Sequence, residues 1–128
     1  LRQRPSILVA EDYPDFRTAI LALFETLEVD CHTVANGRLA IEFIRDERNA
    51  LDLLITDMDM PVHTGWEVIE ALRDCRPRVP IIMQTGEAKY SYVRRRAAQY
   101  DVVLLDKRDV PSGLVPAVLR ELGSVGDA

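Results

Sequence analysis

Five short apolar runs, each followed by a stretch whose apolar residues recur at helical spacing, constrain this chain more than any other feature. The runs are Ile7-Leu8-Val9-Ala10 and residues 31–34, 51–55, 79–83 and 102–105. Three of them lack polar alternation, the pattern of parallel strands covered on both faces. Behind the first run, Phe16, Ala19, Ile20, Leu23 and Leu27 make one helical stripe, and Leu39, Ala40, Phe43 and Ile44 make the second. Trp66, Ile69 and Leu72 form the third; Leu114, Val115, Val118, Leu119 and Leu122 form the last. The weakest is Val93, Ala97 and Tyr100, on a segment rich in Tyr and Arg. A strand followed by a helix, five times over, predicts an α/β fold: a doubly wound five-stranded parallel sheet flanked by five helices.

The punctuation fits. Pro14 and Pro61 follow strand ends, Pro77 and Pro80 bracket the start of the fourth strand, and Asn36-Gly37 turns into the second helix. Ser112 is expected to cap the last helix, with Pro116 in its first turn and Gly123 as its stop. A length of 128 residues with 48% apolar content suits one domain over 1–128, with a core of about 5–123. No apolar run approaches the ~18 residues of a membrane span, and no secretion signal is visible, so the expected location is the cytoplasm. The chain opens on Leu1 rather than a methionine, which points to a piece of something longer. A net charge of −5 without a long basic run argues against direct nucleic-acid binding. Cys31 and Cys75, 44 residues apart, and the scattered His32 and His63 do not make a zinc site; the thiols are expected to be buried or half-buried.

In a doubly wound sheet, ligands bind outside the carboxyl ends of the strands. Glu11 and Asp12 follow the first strand, Asp57 and Asp59 the third, Thr85 and Glu87 end the fourth, and Asp106-Lys107-Arg108 end the fifth. Two unit charges ~5 Å apart at an effective dielectric of ~20 repel by roughly 3 kcal/mol. The single ammonium of Lys107 does not balance Glu11, Asp12 and Asp57. A hard divalent cation does, and Mg²⁺ suits few carboxylates, several waters and a phosphate oxygen, with Mn²⁺ left open. A carboxylate can also act as nucleophile and form an acyl phosphate, with metal, ammonium and hydroxyl meeting the charge of the transferred group.

The motifs Ile7-Leu8-Val9-Ala10-Glu11-Asp12 and Leu54-Ile55-Thr56-Asp57-Met58-Asp59-Met60-Pro61, with Gly65, Thr85 and Lys107, resemble the receiver domain of two-component response regulators. The intervals of 45, 28 and 22 residues between Asp12, Asp57, Thr85 and Lys107 strengthen the match, which covers about residues 5–123. The resemblance, not the periodicity, implies the flavodoxin-like strand order 2-1-3-4-5. It implies Asp57 as phosphoacceptor, Glu11, Asp12 and Asp57 as Mg²⁺ ligands with the Asp59 carbonyl, Lys107 as partner of the phosphoryl oxygens, and Thr85 as the residue that moves toward them. It further implies a histidine kinase or phosphotransfer protein as donor and a downstream protein or separate output domain as receiver of the signal. Readout, and a homodimer where one forms, falls on the face of the fourth helix, fifth strand and fifth helix.

Three positions depart from that pattern. Leu104 stands where the family usually carries an aromatic switch, Arg108 where a proline often follows the lysine, and Gln99-Tyr100 where a small residue commonly precedes the last strand. For Arg108 the expectation is a trans peptide, or a strained cis one held by its surroundings. These departures keep a second function open, a receiver-like interaction scaffold indifferent to phosphate. A small aspartyl-phosphate hydrolase lacks a cap insertion. Flavin binding would need Gly, Ser and Thr where Glu11-Asp12-Tyr13-Pro14 stands. Arg94-Arg95-Arg96 with Tyr90 and Tyr92 reads as a docking surface or a solvated face, Trp66 as a packing residue, and His63 as a loop residue.

Overall fold

The computed structural model describes residues 4–126. The elements are β1 (Ser6–Ala10), α1 (Pro14–Leu23), β2 (Asp30–Val34), α2 (Gly37–Arg45), β3 (Leu53–Asp57), α3 (Gly65–Cys75), β4 (Ile81–Thr85), α4 (Ser91–Gln99), β5 (Val102–Asp106) and α5 (Val110–Gly126), with a 3₁₀ turn at Lys107–Asp109. The strands form one parallel sheet in the order β2-β1-β3-β4-β5, as the resemblance implies. β1, β3 and β4 are buried at every position because they fill the middle of that order. β5 is half-buried throughout despite its apolar sequence, since it forms an edge.

Alternation along the strands builds two cores. Leu8, Leu54, Ile81 and Met83 face α2, α3 and α4, where Ile44, Ile69, Leu72 and Val93 pack on them. Ile7, Val9, Ile55 and Ile82 face α1 and α5, against Ile20, Phe24, Leu114 and Val118. Each such side chain contributes about 1.5–3 kcal/mol by leaving water.

Several sequence expectations shift. The runs at 51–55 and 79–83 begin two residues before their strands. The buried Asp52 carboxylate accepts the Ser6 N–H at 2.7 Å while its own N–H donates to Ser6 O at 2.7 Å, and Pro80, which has no N–H, accepts the Leu54 N–H at 3.1 Å through its carbonyl, so the two residues meet neighbouring strands just ahead of β3 and β4. α1 stops at Leu23, and Leu27 packs on the same core from the turn beyond it. Ser112 does not cap α5, Pro116 lies beyond its first turn, and Gly123 does not stop it. The helix starts at Val110 because the Asp106 carboxylate accepts the Arg108 N–H and the 3₁₀ turn feeds straight into it. The buried row Val110, Leu114, Ala117 and Val118 then carries it through Pro116. Cys75 is exposed at the end of α3 rather than buried, while Cys31 is half-buried and burial pushes its thiol up to about 11.

Arg73 in the last turn of α3 and Arg76 at its C-cap collect carbonyls that no helix or strand satisfies. Arg76 donates to Ile44 O at 3.1 Å, Asp46 O at 2.9 Å and Asn49 O at 2.7 Å. Arg73 donates to Val79 O at 2.7 Å and Tyr100 O at 2.9 Å. Asp101, at φ 57°, supplies the left-handed residue that returns the chain into β5, so the turn needs no glycine at Tyr100.

At the opposite end of the sheet, Gly65 opens α3 against the end of β3. Its N–H donates to Met58 O at 2.7 Å, and a Cβ there would sit 2.0 Å from Asp57 O. Gly65→Ala is therefore expected to cost about 2–3 kcal/mol and to displace the backbone of Asp57. Urea denaturation measures the first effect, and unchanged stability would show that the β3–α3 loop absorbs the methyl group.

Candidate functional site

Glu11 follows β1 directly, Asp57 is the last residue of β3, and Lys107 is the first beyond β5. Inward-facing Val9, Ile55 and Leu105 precede them by two positions, so alternation aims all three to the α1–α5 side of the carboxyl edge. The Lys107 ammonium donates to Asp57 Oδ2 at 2.9 Å and to Glu11 Oε1 at 3.1 Å. Its Nζ lies 4.9 Å from the centre of the Phe16 ring, whose face supports the cation from α1. In sequence Phe16 is only a member of an apolar stripe, and no local signal marks it for this contact.

A backbone N–H and a second cation hold the neighbouring oxygens. Asp57 Oδ1 accepts the Met58 N–H at 2.9 Å, and Arg17 donates to Glu11 O at 2.7 Å. Asp12 is exposed beside them. Among the described residues, Glu11, Asp12 and Asp57 form one group able to share a metal, each offering an oxygen within 4.8 Å of the others. Such a set of hard carboxylate oxygens fits a divalent cation of the Mg²⁺ or Mn²⁺ kind.

Glu11 is fully buried. Burial first, then the hydrogen bond and charge of Asp57, push its carboxyl up to about 7 against the pull of Lys107. Burial pulls Lys107 down, but Asp57 and Glu11 together outweigh it and hold the ammonium above its ordinary value.

Thr85 is brought to the same edge but not into this group. It is buried, its Oγ accepts the Glu87 N–H at 3.1 Å, and it donates to Met58 Sδ at 4.0 Å. Asp59 is exposed; partial burial first, then Glu87 and Asp57, raise its carboxyl, which shares a hydrogen bond with Glu87. Tyr92 also donates to Glu87, at 2.8 Å.

Gln84 stands next to this group, near the end of β4. It is fully buried, it lies opposite Asp57 in the β3–β4 register, and neither its Nε2 nor its Oε1 has a hydrogen-bond partner. Each unsatisfied buried group costs about 1–3 kcal/mol. An amide in an otherwise apolar strand was the available sequence signal.

The three departures resolve differently. Leu104 pairs with Met83 in register and packs on the α2–α3–α4 core. No cis peptide occurs among the described residues, so Arg108 follows Lys107 in trans, and its side chain clamps Asp106 at 3.1 Å. Tyr100 packs on Trp66 with ring centres 6.4 Å apart. On α4, Tyr90 and Tyr92 stack in the open at 5.9 Å, but Arg96 turns away to Trp66, 4.7 Å from its ring, and to Glu70 at 3.7 Å. Trp66 is buried as a packing residue, and His63 pairs with Glu67 at 2.9 Å in the loop before α3.

Comparison with known proteins places this geometry. The response regulator receiver domain matches residues 7–108. The chain belongs to that family. This receiver is 32% identical over 89 residues to the 3',5'-cyclic-nucleotide phosphodiesterase regA of Dictyostelium discoideum, covering 67% of this chain and 11% of that protein. It is 28% identical over 86 residues to the autoinducer 1 sensor kinase/phosphatase LuxN of Vibrio harveyi, covering 67% of this chain and 10% of that protein. It thus spans about a tenth of the length of these relatives. The chemotaxis protein CheY4 of Vibrio cholerae superposes with a TM-score of 0.80 at 25% identity, over 91% of this receiver and 98% of that chain. Among the described residues, no helix is long and apolar enough to cross a membrane.

The burial of Glu11 carries a pH signature. Its ordinary value is 4.5 and its folded value about 7, so between those limits the folded receiver binds more protons than the unfolded chain. Stability then falls as pH rises through that window, whereas the stabilisation carried by Lys107 persists until far more alkaline pH. In EDTA, a loss on the order of 2–3 kcal/mol is expected between pH 5 and pH 8, and Glu11→Gln removes most of it. Denaturant titrations across that range measure it, and stability that rises instead would contradict the burial cost.

Proposed function

We propose that this receiver is the phosphoacceptor module of a two-component phosphorelay, with Asp57 as the residue that carries the phosphoryl group. The observation that carries this reading is the Lys107 ammonium 2.9 Å from Asp57 Oδ2, beside three carboxylates whose oxygens lie within 4.8 Å of one another. Residues 1–128 act as one receiver unit, and the location is cytoplasmic.

Glu11, Asp12 and Asp57, with the Asp59 backbone carbonyl, would hold Mg²⁺, or Mn²⁺ in its place. When bound, the cation neutralises the surplus carboxylate charge and that of the incoming phosphoryl oxygens. An Asp57 oxygen attacks the phosphorus of a phosphohistidine on the donor kinase or phosphotransfer protein. The P–N bond breaks, its electron pair leaves with the imidazole nitrogen, and a P–O bond to Asp57 forms. Lys107 transfers its hydrogen bond from Asp57 to the phosphoryl oxygens, and Thr85 exchanges Met58 Sδ for another of them. Attack of water on phosphorus later breaks the new P–O bond and returns the carboxylate and inorganic phosphate. The receiver thus catalyses only its own phosphorylation and dephosphorylation.

The added charge shifts the face of α4, β5 and α5. That face offers the open Tyr90–Tyr92 stack to a downstream protein, an output domain or a second copy. Leu104 supports a second reading, a scaffold that engages its partner regardless of phosphate, because an aliphatic side chain already packed on Met83 and its core has no aromatic ring to turn inward.

Incubation with Mg²⁺ and a small phosphodonor is expected to add one phosphoryl mass, absent in Asp57→Asn. Intact-mass spectrometry reads this, and no gain together with no Mg²⁺-dependent thermal shift favours the scaffold. Lys107→Ala is expected to keep the Mg²⁺ shift yet lose the phosphorylation-linked change in spectra or partner binding. An unaltered response in that variant would remove Lys107 from the switch.

A further inference from the structure

The register sets Asp57, Gln84 and Leu105 in one row on the adjacent strands β3, β4 and β5, with Glu11 just beyond the end of β1. Ile55 and Ile82, two residues before Asp57 and Gln84, both lie in the α1–α5 core, so alternation puts the two polar side chains on the same side of the sheet. Adjacent strands stand about 4.8 Å apart, a gap that an extended glutamine amide spans. Yet the amide is idle. Asp57 Oδ1 is taken by the Met58 N–H and Oδ2 by Lys107, while Gln84 is fully buried with both polar atoms unpartnered.

Resting on the phosphoacceptor reading above, we propose that Gln84 is a positioning residue for the aspartyl phosphate. When Lys107 leaves Asp57 Oδ2 for the phosphoryl oxygens, the Gln84 Nε2–H donates to the Asp57 phosphate group in its place. Burial of the unpaired amide raises the free energy of the resting state. The new bond relieves that penalty only after phosphorylation, so one side chain biases the equilibrium toward the phosphorylated form. The bond is made by rotation about the glutamine side-chain dihedrals.

Gln84→Met preserves volume and removes the amide, with Gln84→Leu as a second apolar variant. In EDTA, the resting Tm of the variants is expected to rise by about 3–8 °C, because an idle buried polar group has been replaced. With saturating Mg²⁺ and beryllofluoride, which adds to a carboxylate as a phosphoryl mimic, their affinity for the mimic is expected to fall about tenfold. Mg²⁺ affinity alone is expected to stay at the native value. A higher resting Tm with unchanged beryllofluoride affinity overturns the proposal, leaving Gln84 a buried amide without a role. A resting Tm unchanged or lowered in both variants overturns it as well. Failure of the native receiver to bind beryllofluoride sinks the phosphoacceptor reading, and this inference with it, a result distinct from either of the others.

Discussion

Lys107 is the cation on which the carboxyl edge depends. Its ammonium, 2.9 Å from Asp57 and 3.1 Å from Glu11, allows a fully buried glutamate to stand beside a second buried carboxylate. It does not finish the task. Three acidic side chains face one ammonium, and the surplus appears in the raised carboxyl of Glu11, which keeps a proton that an exposed glutamate would release. A site with surplus negative charge responds to whatever meets it, whether proton or divalent cation.

That imbalance persists because the scaffold does not let the carboxylates separate. Glu11 and Lys107 are 96 residues apart in sequence, and the order β2-β1-β3-β4-β5 brings them into contact around the end of β3. Close backbone packing holds the loops: Gly37 lies against His63 O, and Gly65 against Asp57 O, where any side chain would collide. At the other end of the sheet, Arg73 and Arg76 tie the connecting loops to α3.

Much of this was readable before the fold was known, because it followed from periodicity and local chemistry. The five strands, the Asn36-Gly37 turn into α2 and the packing of Trp66 all came from residue patterns of fewer than a dozen positions. The misreadings have one physical origin. Ser112 and Gly123 are reasonable helix ends in isolation, but α5 keeps its course because the 3₁₀ turn launches it and its buried face outweighs a proline. Asp52 and Pro80 look like parts of strands and both bond to a neighbouring strand, but a side-chain bond at Asp52 and the missing N–H of Pro80 leave the regular ladder to begin after them. Of the candidate site, Glu11, Asp12, Asp57 and Lys107 were legible and do meet; Thr85 reaches the same edge but spends its hydroxyl on Glu87 and Met58. Phe16 was not legible as a partner of Lys107, and Gln84 was legible only as an amide in an apolar strand, since a ring under a lysine and an amide without a partner exist only between strands and helices remote in sequence.

The sequence by itself determined the architecture and the chemical inventory: which segments are strands, which faces are apolar, and that carboxylates, a hydroxyl and a lysine stand at strand ends. These are local properties, set by side-chain periodicity and by the short reach of turns and caps. Tertiary structure decided how those groups share charge. Whether Glu11 holds its proton, whether Lys107 bridges two acids, and whether Gln84 is satisfied all depend on distances of a few ångströms between strands that no local pattern encodes, and electrostatic and hydrogen-bond energies change steeply over that range.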